Sequence, residues 1–143
     1  MASLSRSFAS ITPADHGGSA TLAGWVEDVR DLGGIVFLIV RQTGGTFQAT
    51  VKKKGNEASF EAASRIVRES VIVARGTVQP NTQVRNGWEL IAESLEVLSA
   101  AAAPLPLPVA DKVGAEMDTR FDNRALDLRK PERRAIFRVR SIV

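Results

Sequence analysis

The sequence predicts an all-β fold with one helix: a five-stranded closed barrel in the order β-β-β-α-β-β, followed by a proline-rich hinge and a truncated C-terminal helix. Three observations predict it. Short runs rich in Val, Ile, Trp and Phe recur between glycine turns, with apolar positions at the period of two that a strand imposes. A single stretch, after the third run, has helical spacing instead. From Pro104 the composition changes to "PLPLP", an extended spacer that admits neither a helix nor a central strand.

The strands come in order. Ala20–Asp31 and Ile35–Gln42 are separated by the turn "LGG", and Thr43–Gly45 turns the chain into Thr46–Lys53. Side chains alternate along a strand, so Val36, Leu38 and Val40 share one face, while Ile35, Phe37, Ile39 and Arg41 share the other. In the next strand Phe47, Ala49 and Val51 oppose Gln48, Thr50 and Lys52. Asn56 is placed as an N-cap for a helix over roughly Glu57–Glu69, with Phe60, Ala63 and Val67 at helical spacing. Val71–Gln79 is a strand, "PNTQVRNG" a loop, and Trp88–Ala100 a last strand with room for a bulge. This is the order of an oligonucleotide-binding (OB) barrel, whose helix plugs the end between strands three and four. A split ferredoxin-like sandwich needs a second helix, and Val71–Ala100 holds none.

The expected organisation is therefore a barrel domain over 1–103, a hinge over 104–130, and over 131–143 the start of the first helix of a further domain. Pro131 suits a first helical position. Ala135, Ile136, Val139, Ile142 and Val143 line one side of that helix, which stops at its apolar end, so the chain is expected to continue in a longer parent.

Length and composition bound the function. The 143 residues make about one domain, and a 44% hydrophobic share supports a packed core. Apolar stretches such as Ile35–Val40 fall far short of the ~20 residues of a membrane span, and the N-terminal segment has no apolar core of a secretory signal. The absence of cysteine excludes disulfides and thiolate chemistry and fits a cytoplasmic location. The one histidine, His16, lies in a glycine-rich lead-in, there is no phosphate-binding loop, and the acidic pairs Glu93/Glu96 and Asp118/Asp122 read as surface charge rather than a catalytic pair. No catalytic or metal-ligating constellation is present. The formal charge of +3 is unevenly spread: nine of nineteen Lys and Arg lie between Lys112 and Arg140, against six acids from Asp111 to Glu132. That balance points to a polyanionic partner or to a solvated basic tail.

Binding chemistry remains. Unpaired nucleic acid is held by rings that stack on bases, cations that meet phosphates and amides that meet base edges. Phe37 is the stacking candidate, against the alternative that it is a core ring in a sheet buried on both sides. Gln48 offers a donor and an acceptor to one base edge, which Lys and Thr cannot. Arg30 and Arg41 are candidates for phosphate or base, although strict strand parity leaves the direction of Arg30 dependent on a bulge. Lys52–Lys54 is a cationic run that meets phosphate or simply blunts a sheet edge.

The segment "GWVEDVRDLGGIVFLIVRQTGGTFQ", with its "RDLGG-x-x-F" run followed eleven residues later by Gln48, resembles the anticodon-binding OB domain of class IIb aminoacyl-tRNA synthetases, in the aspartyl form. "PLPLP" and "DTRFDNRALDLRKPERRAIFRVRS" resemble the hinge and the approach to the catalytic domain in the archaeal-type branch. The resemblance implies that Phe37 stacks on the middle anticodon base, a uridine, that Gln48 reads its edge, and that Arg30 contacts the anticodon loop. It places Glu89 near the first anticodon base, with Glu27 and Arg85 flanking the third. It further implies an aspartate–tRNA ligase as parent, a homodimer using ATP and magnesium, with tRNA as partner and this chain as a non-catalytic, monomeric fragment. Arg41-Gln42 stand where the family usually has Arg-Asp. An asparaginyl-tRNA synthetase domain and a free-standing single-strand-binding OB protein are the alternatives. The lysyl type is disfavoured by "DNRALDLR".

Overall fold

The computed structural model describes residues 6–109 and 114–142. Asp111, Lys112 and Val143, which entered the charge and helix readings above, lie outside the described residues. The chain divides into two compact units between Ala101 and Ala102.

The first unit is a closed barrel of β1 (Ser19–Asp31), β2 (Ile35–Gln42), β3 (Gly45–Lys52), β4 (Val71–Pro80) and β5 (Trp88–Ser99), hydrogen-bonded in the order β1-β2-β3-β5-β4. All neighbours are antiparallel except β3 and β5, which meet in parallel at Ala49↔Leu90 and Thr50↔Ile91. The five-stranded barrel expected from the sequence is the fold observed. Val36, Leu38 and Val40 of β2 and Phe47, Ala49 and Val51 of β3 are all buried, so the alternation assigned the inner faces of both strands. Phe47 stacks on Trp88 with ring centroids 6.2 Å apart, filling the barrel where the two parallel strands meet. Two bulges in β5 leave Glu93 and Leu98 without a partner in β4. Gly76 sits opposite the first of them, where a Cβ would lie 1.9 Å from the Ile91 carbonyl oxygen, so only glycine permits this approach.

The helix α1 (Glu57–Ser64) is shorter than the expected Glu57–Glu69. After Arg65 the chain turns, Glu69 adopts a left-handed φ of 69°, and the Glu69 backbone N–H donates to the Val26 carbonyl at 2.6 Å. Tertiary contacts override the helical period here: Ile66 packs against the core, and Val67, expected on the apolar face, is exposed. Asn56 occupies the N-cap position but makes no cap with its side chain. Its amide instead donates to the Ala92 and Glu93 carbonyls and stitches the helix to the β5 bulge.

The Glu69 carboxylate takes two hydrogen bonds of 2.8 Å from Arg41 Nη2, and Arg41 Nη1 lies 3.4 Å from Glu27. Arg41 and Glu69 are both buried. Arg41 is thus spent on the fold and is withdrawn as a candidate for phosphate or base. Gln42, where the resemblant family has an acid, donates to the Ala23 and Arg6 carbonyls and accepts from the Phe8 N–H, clamping the lead-in to β1. That lead-in carries two 3-10 turns, Phe8–Ser10 and Pro13–Asp15.

The second unit holds α2 (Met117–Asp122), α3 (Arg124–Asp127) and α4 (Pro131–Arg140). Helical turns occupy part of the segment read from the sequence as the hinge over 104–130. The reason lies in "DNRALD": Asn123 donates to the Thr119 carbonyl and its own carbonyl receives the Leu126 and Asp127 N–H groups. Arg120 reaches back to Asp127 at 3.1 Å, and its hydrogen bond holds that carboxyl below the usual range despite the opposing effect of burial.

Two outcomes follow. Glu69→Ala leaves the buried Arg41 with only the more exposed Glu27, and equilibrium urea unfolding should show a loss of about 3–5 kcal/mol. In the lead-in, hydrogen bonds from Arg6 and then from Thr12 hold the Asp15 carboxyl at about 2, against an ordinary 3.8. Its folded-state value is depressed, so its contribution is full above 3.8 and disappears as pH falls through about 2. An NMR carboxyl titration should place the midpoint there, and Arg6→Gln should raise it.

Candidate nucleic-acid interface

An open groove of about 550 Å³ lies on the outer face of β1, β2 and β3, roofed on one side by the β4–β5 loop. Its floor is set by strand register. Arg30 pairs with Phe37, Phe37 with Thr50, and Ile35 with Lys52, so a guanidinium, a ring, a hydroxyl and an ammonium stand side by side. Gln48, paired with Ile39, is the diagonal neighbour of Phe37 on the adjoining strand. Phe37 is half-buried, neither a core ring nor a free one.

The direction of Arg30 is decided by a bulge. Trp25 and Val26 pair with Arg41 and Val40, but Asp28 pairs with Ile39, leaving Glu27 unpaired. The slip reverses parity, so Val29 packs against the core and Arg30 turns out beside Phe37. Arg30 is largely exposed and its Nε lies 3.2 Å from Asp28, which also accepts from Arg68 at 2.7 Å. Burial alone would raise the Asp28 carboxyl, but the Arg68 and Arg30 hydrogen bonds outweigh it and hold the group ionised below its usual range.

The far wall is a polar cluster around Glu89. One carboxylate oxygen, Oε2, accepts from Gln48 Nε2 at 3.0 Å and from the Thr50 hydroxyl, and Oε1 accepts from Asn81 Nδ2 at 2.9 Å. Asn81 also organises the loop: its side chain receives the Gln83 N–H, and its backbone N–H donates to Gly87. Asn86 ties the loop's other side to the Thr46 carbonyl. Gln83 and Val84 are thereby held against the groove.

A ring, an amide and a cation on one open barrel face match the requirements of unpaired nucleic acid. Residues 20–98 match the family described as the OB-fold nucleic acid binding domain. The chain belongs to that family. It is 48% identical over 127 residues to the Aspartate--tRNA(Asp/Asn) ligase of Methanosarcina acetivorans, covering 88% of this chain and 29% of the ligase. Its fold is similar to aspartyl tRNA synthetase from Entamoeba histolytica, with a TM-score of 0.87, 27% identity, and coverage of 96% of this chain and 35% of that one. It is likewise similar to asparaginyl-tRNA synthetase from Pyrococcus horikoshii, with a TM-score of 0.85, 29% identity, and coverage of 96% and 32%. This OB-fold domain is homologous to the N-terminal region of aspartate–tRNA ligases, and the chain spans about a third or less of the relatives it matches.

Of the residues singled out from the sequence, Arg30, Phe37, Gln48 and Glu89 line the groove together. Glu27 and Arg85 do not. Glu27 is the bulge residue and faces Arg41, and Arg85 is exposed on the loop and is not among the lining residues. Thr50, Asn81, Gln83 and Val84 were given no role. Strand parity alone would have found Thr50, which shares a face with Gln48, whereas no periodic signal marks loop residues. Thr50→Val strips one donor from Glu89, and urea unfolding should show a loss of about 0.5–1.5 kcal/mol.

Proposed function

We propose that this chain reads the anticodon loop of aspartate tRNA as the N-terminal part of an aspartate–tRNA ligase. The observation that carries the proposal is the convergence of Phe37, Gln48 and Arg30 on one open groove of an OB barrel. In this reading the middle anticodon uridine stacks on the Phe37 ring, the Gln48 amide meets its edge, and Arg30 and Lys52 meet the loop phosphates. The longer parent activates aspartate with ATP and magnesium, transfers it to the tRNA and works as a cytoplasmic homodimer, while this chain alone is a monomer that binds tRNA. Among the described residues no group of three or more His, Cys, Asp or Glu is arranged to hold a metal.

A second reading is favoured by the names of the relatives, one a ligase for tRNA(Asp/Asn) and one an asparaginyl-tRNA synthetase. The two tRNAs share the middle uridine and differ at the third anticodon base, so the groove residues above serve both. Titrating the chain with anticodon stem-loops ending in cytidine or uridine separates the readings: a preference for cytidine supports aspartate tRNA, and equal affinity supports a reader of both. Phe37→Ala should weaken binding of either loop by about 1–3 kcal/mol. Unchanged affinity in that variant would remove the proposal.

A further inference from the structure

We infer that Glu89 is a positioning residue that makes the groove take uracil rather than cytosine, by fixing which end of the Gln48 amide faces the base. The inference rests on the anticodon reading above and deepens it.

A glutamine amide is nearly symmetric in shape and opposite in chemistry at its two ends, so an untethered Gln48 presents either a carbonyl or an NH2 to the same point. An ionised carboxylate only accepts hydrogen bonds. Glu89 Oε2 lies 3.0 Å from the Gln48 amide nitrogen, so that end must be the NH2. The Thr50 hydroxyl donates to the same oxygen and Asn81 Nδ2 donates to Oε1 at 2.9 Å, so donors from both flanks hold the carboxylate where Gln48 needs it. Gln48 cannot turn over without setting its carbonyl against a carboxylate.

The consequence falls on the base. Gln48 Nε2 also lies 3.5 Å from the Thr50 hydroxyl oxygen, a contact long enough for a base edge to displace, so with one N–H committed to Glu89 the amide offers a ligand its Oε1 acceptor and its second N–H. Uracil presents N3–H as a donor beside a carbonyl acceptor and meets that pair directly. Cytosine in the same stacked position presents a bare N3 lone pair to Oε1, and the contact becomes repulsive. An amide free to turn would suit cytosine as well as uracil. Selectivity at this base therefore belongs to Gln48 and Glu89 jointly, although Glu89 need not touch the RNA. This differs from the role near the first anticodon base that the resemblance gave to Glu89.

The test compares dissociation constants of the wild-type chain and Glu89→Gln for two RNA stem-loops that differ only in uridine or cytidine at the middle anticodon position. A glutamine at 89 can donate or accept, so it no longer dictates the orientation of Gln48. The wild type should prefer uridine about tenfold or more, the usual cost of a mismatched base. Glu89→Gln should narrow that ratio by about tenfold, partly through tighter binding of the cytidine loop, a gain that a merely damaged fold does not produce. A ratio unchanged in the variant, or equal losses for both loops, would overturn the inference and leave the anticodon reading intact. A wild type with no preference at this base would overturn both. Independently of any variant or RNA, NMR of the wild type should show one Gln48 side-chain N–H protected from exchange, and two fast-exchanging protons there would overturn the lock.

Discussion

One unpaired residue, Glu27, decides which way the second half of β1 faces, and a buried ion pair holds it in place. Before the bulge Leu22 and Val26 point inward; after it Val29 does, and Arg30 is released to the groove. The Val26 carbonyl receives the Glu69 N–H, and the Val26 N–H reaches the Ser70 carbonyl. The Glu69 side chain grips Arg41, and Arg41 meets Glu27. The left-handed backbone at Glu69 is thus part of a closed circuit through β1, β2 and the segment before β4. Without that circuit the slip would have no anchor, and Arg30 would be directed at the core.

The groove divides its labour between that cation and the polar cluster across from it. Phe37 supplies area that any base can use, since every base has a π-face. Selection must come from groups with a direction. Glu89 is hydrogen-bonded to three side chains, so in the proposed reading its charge acts through neighbours rather than on a ligand directly. A negative group in a surface that binds a polyanion would otherwise oppose binding. Satisfied by internal donors, it serves in that reading to orient an amide.

The strand alternation in β2 and β3 made most of this legible, because a period of two is enforced by the pleat and needs no tertiary information. It separates Val36, Leu38 and Val40 from Phe37, and Phe47 and Ala49 from Gln48, on sequence alone. What parity cannot carry is a change of parity: nothing in "WVEDVR" marks Glu27 as the extra residue, because its reason lies at Arg41 and Glu69, far along the chain. The same limit explains the overlong helix, ended by contacts of Glu69 rather than by a local stop signal, and the misjudged Arg41, whose buried partner has no local signature. Glu27 and Arg85 were assigned through resemblance alone, and strand facing does not bring either to the groove. Asn56 was placed correctly as a cap position, yet its amide serves a bulge in β5 that the sequence admitted without locating.

Charge was the poorer guide, and the reason is physical. Of the ten Lys and Arg in the first unit, all of them described, only Arg30 and Lys52 line the groove, while the other nine of the sequence lie between residues 112 and 140. Attraction to phosphate is long-ranged and indifferent to base, so cations need not sit where sequence is read. Reading needs groups at hydrogen-bond distance with fixed directions, and a closed sheet supplies these by register. In the proposed reading, the residues that distinguish one base from another are therefore those whose neighbours leave them one orientation, and hydrogen bonds into the barrel wall mark them where surface charge does not.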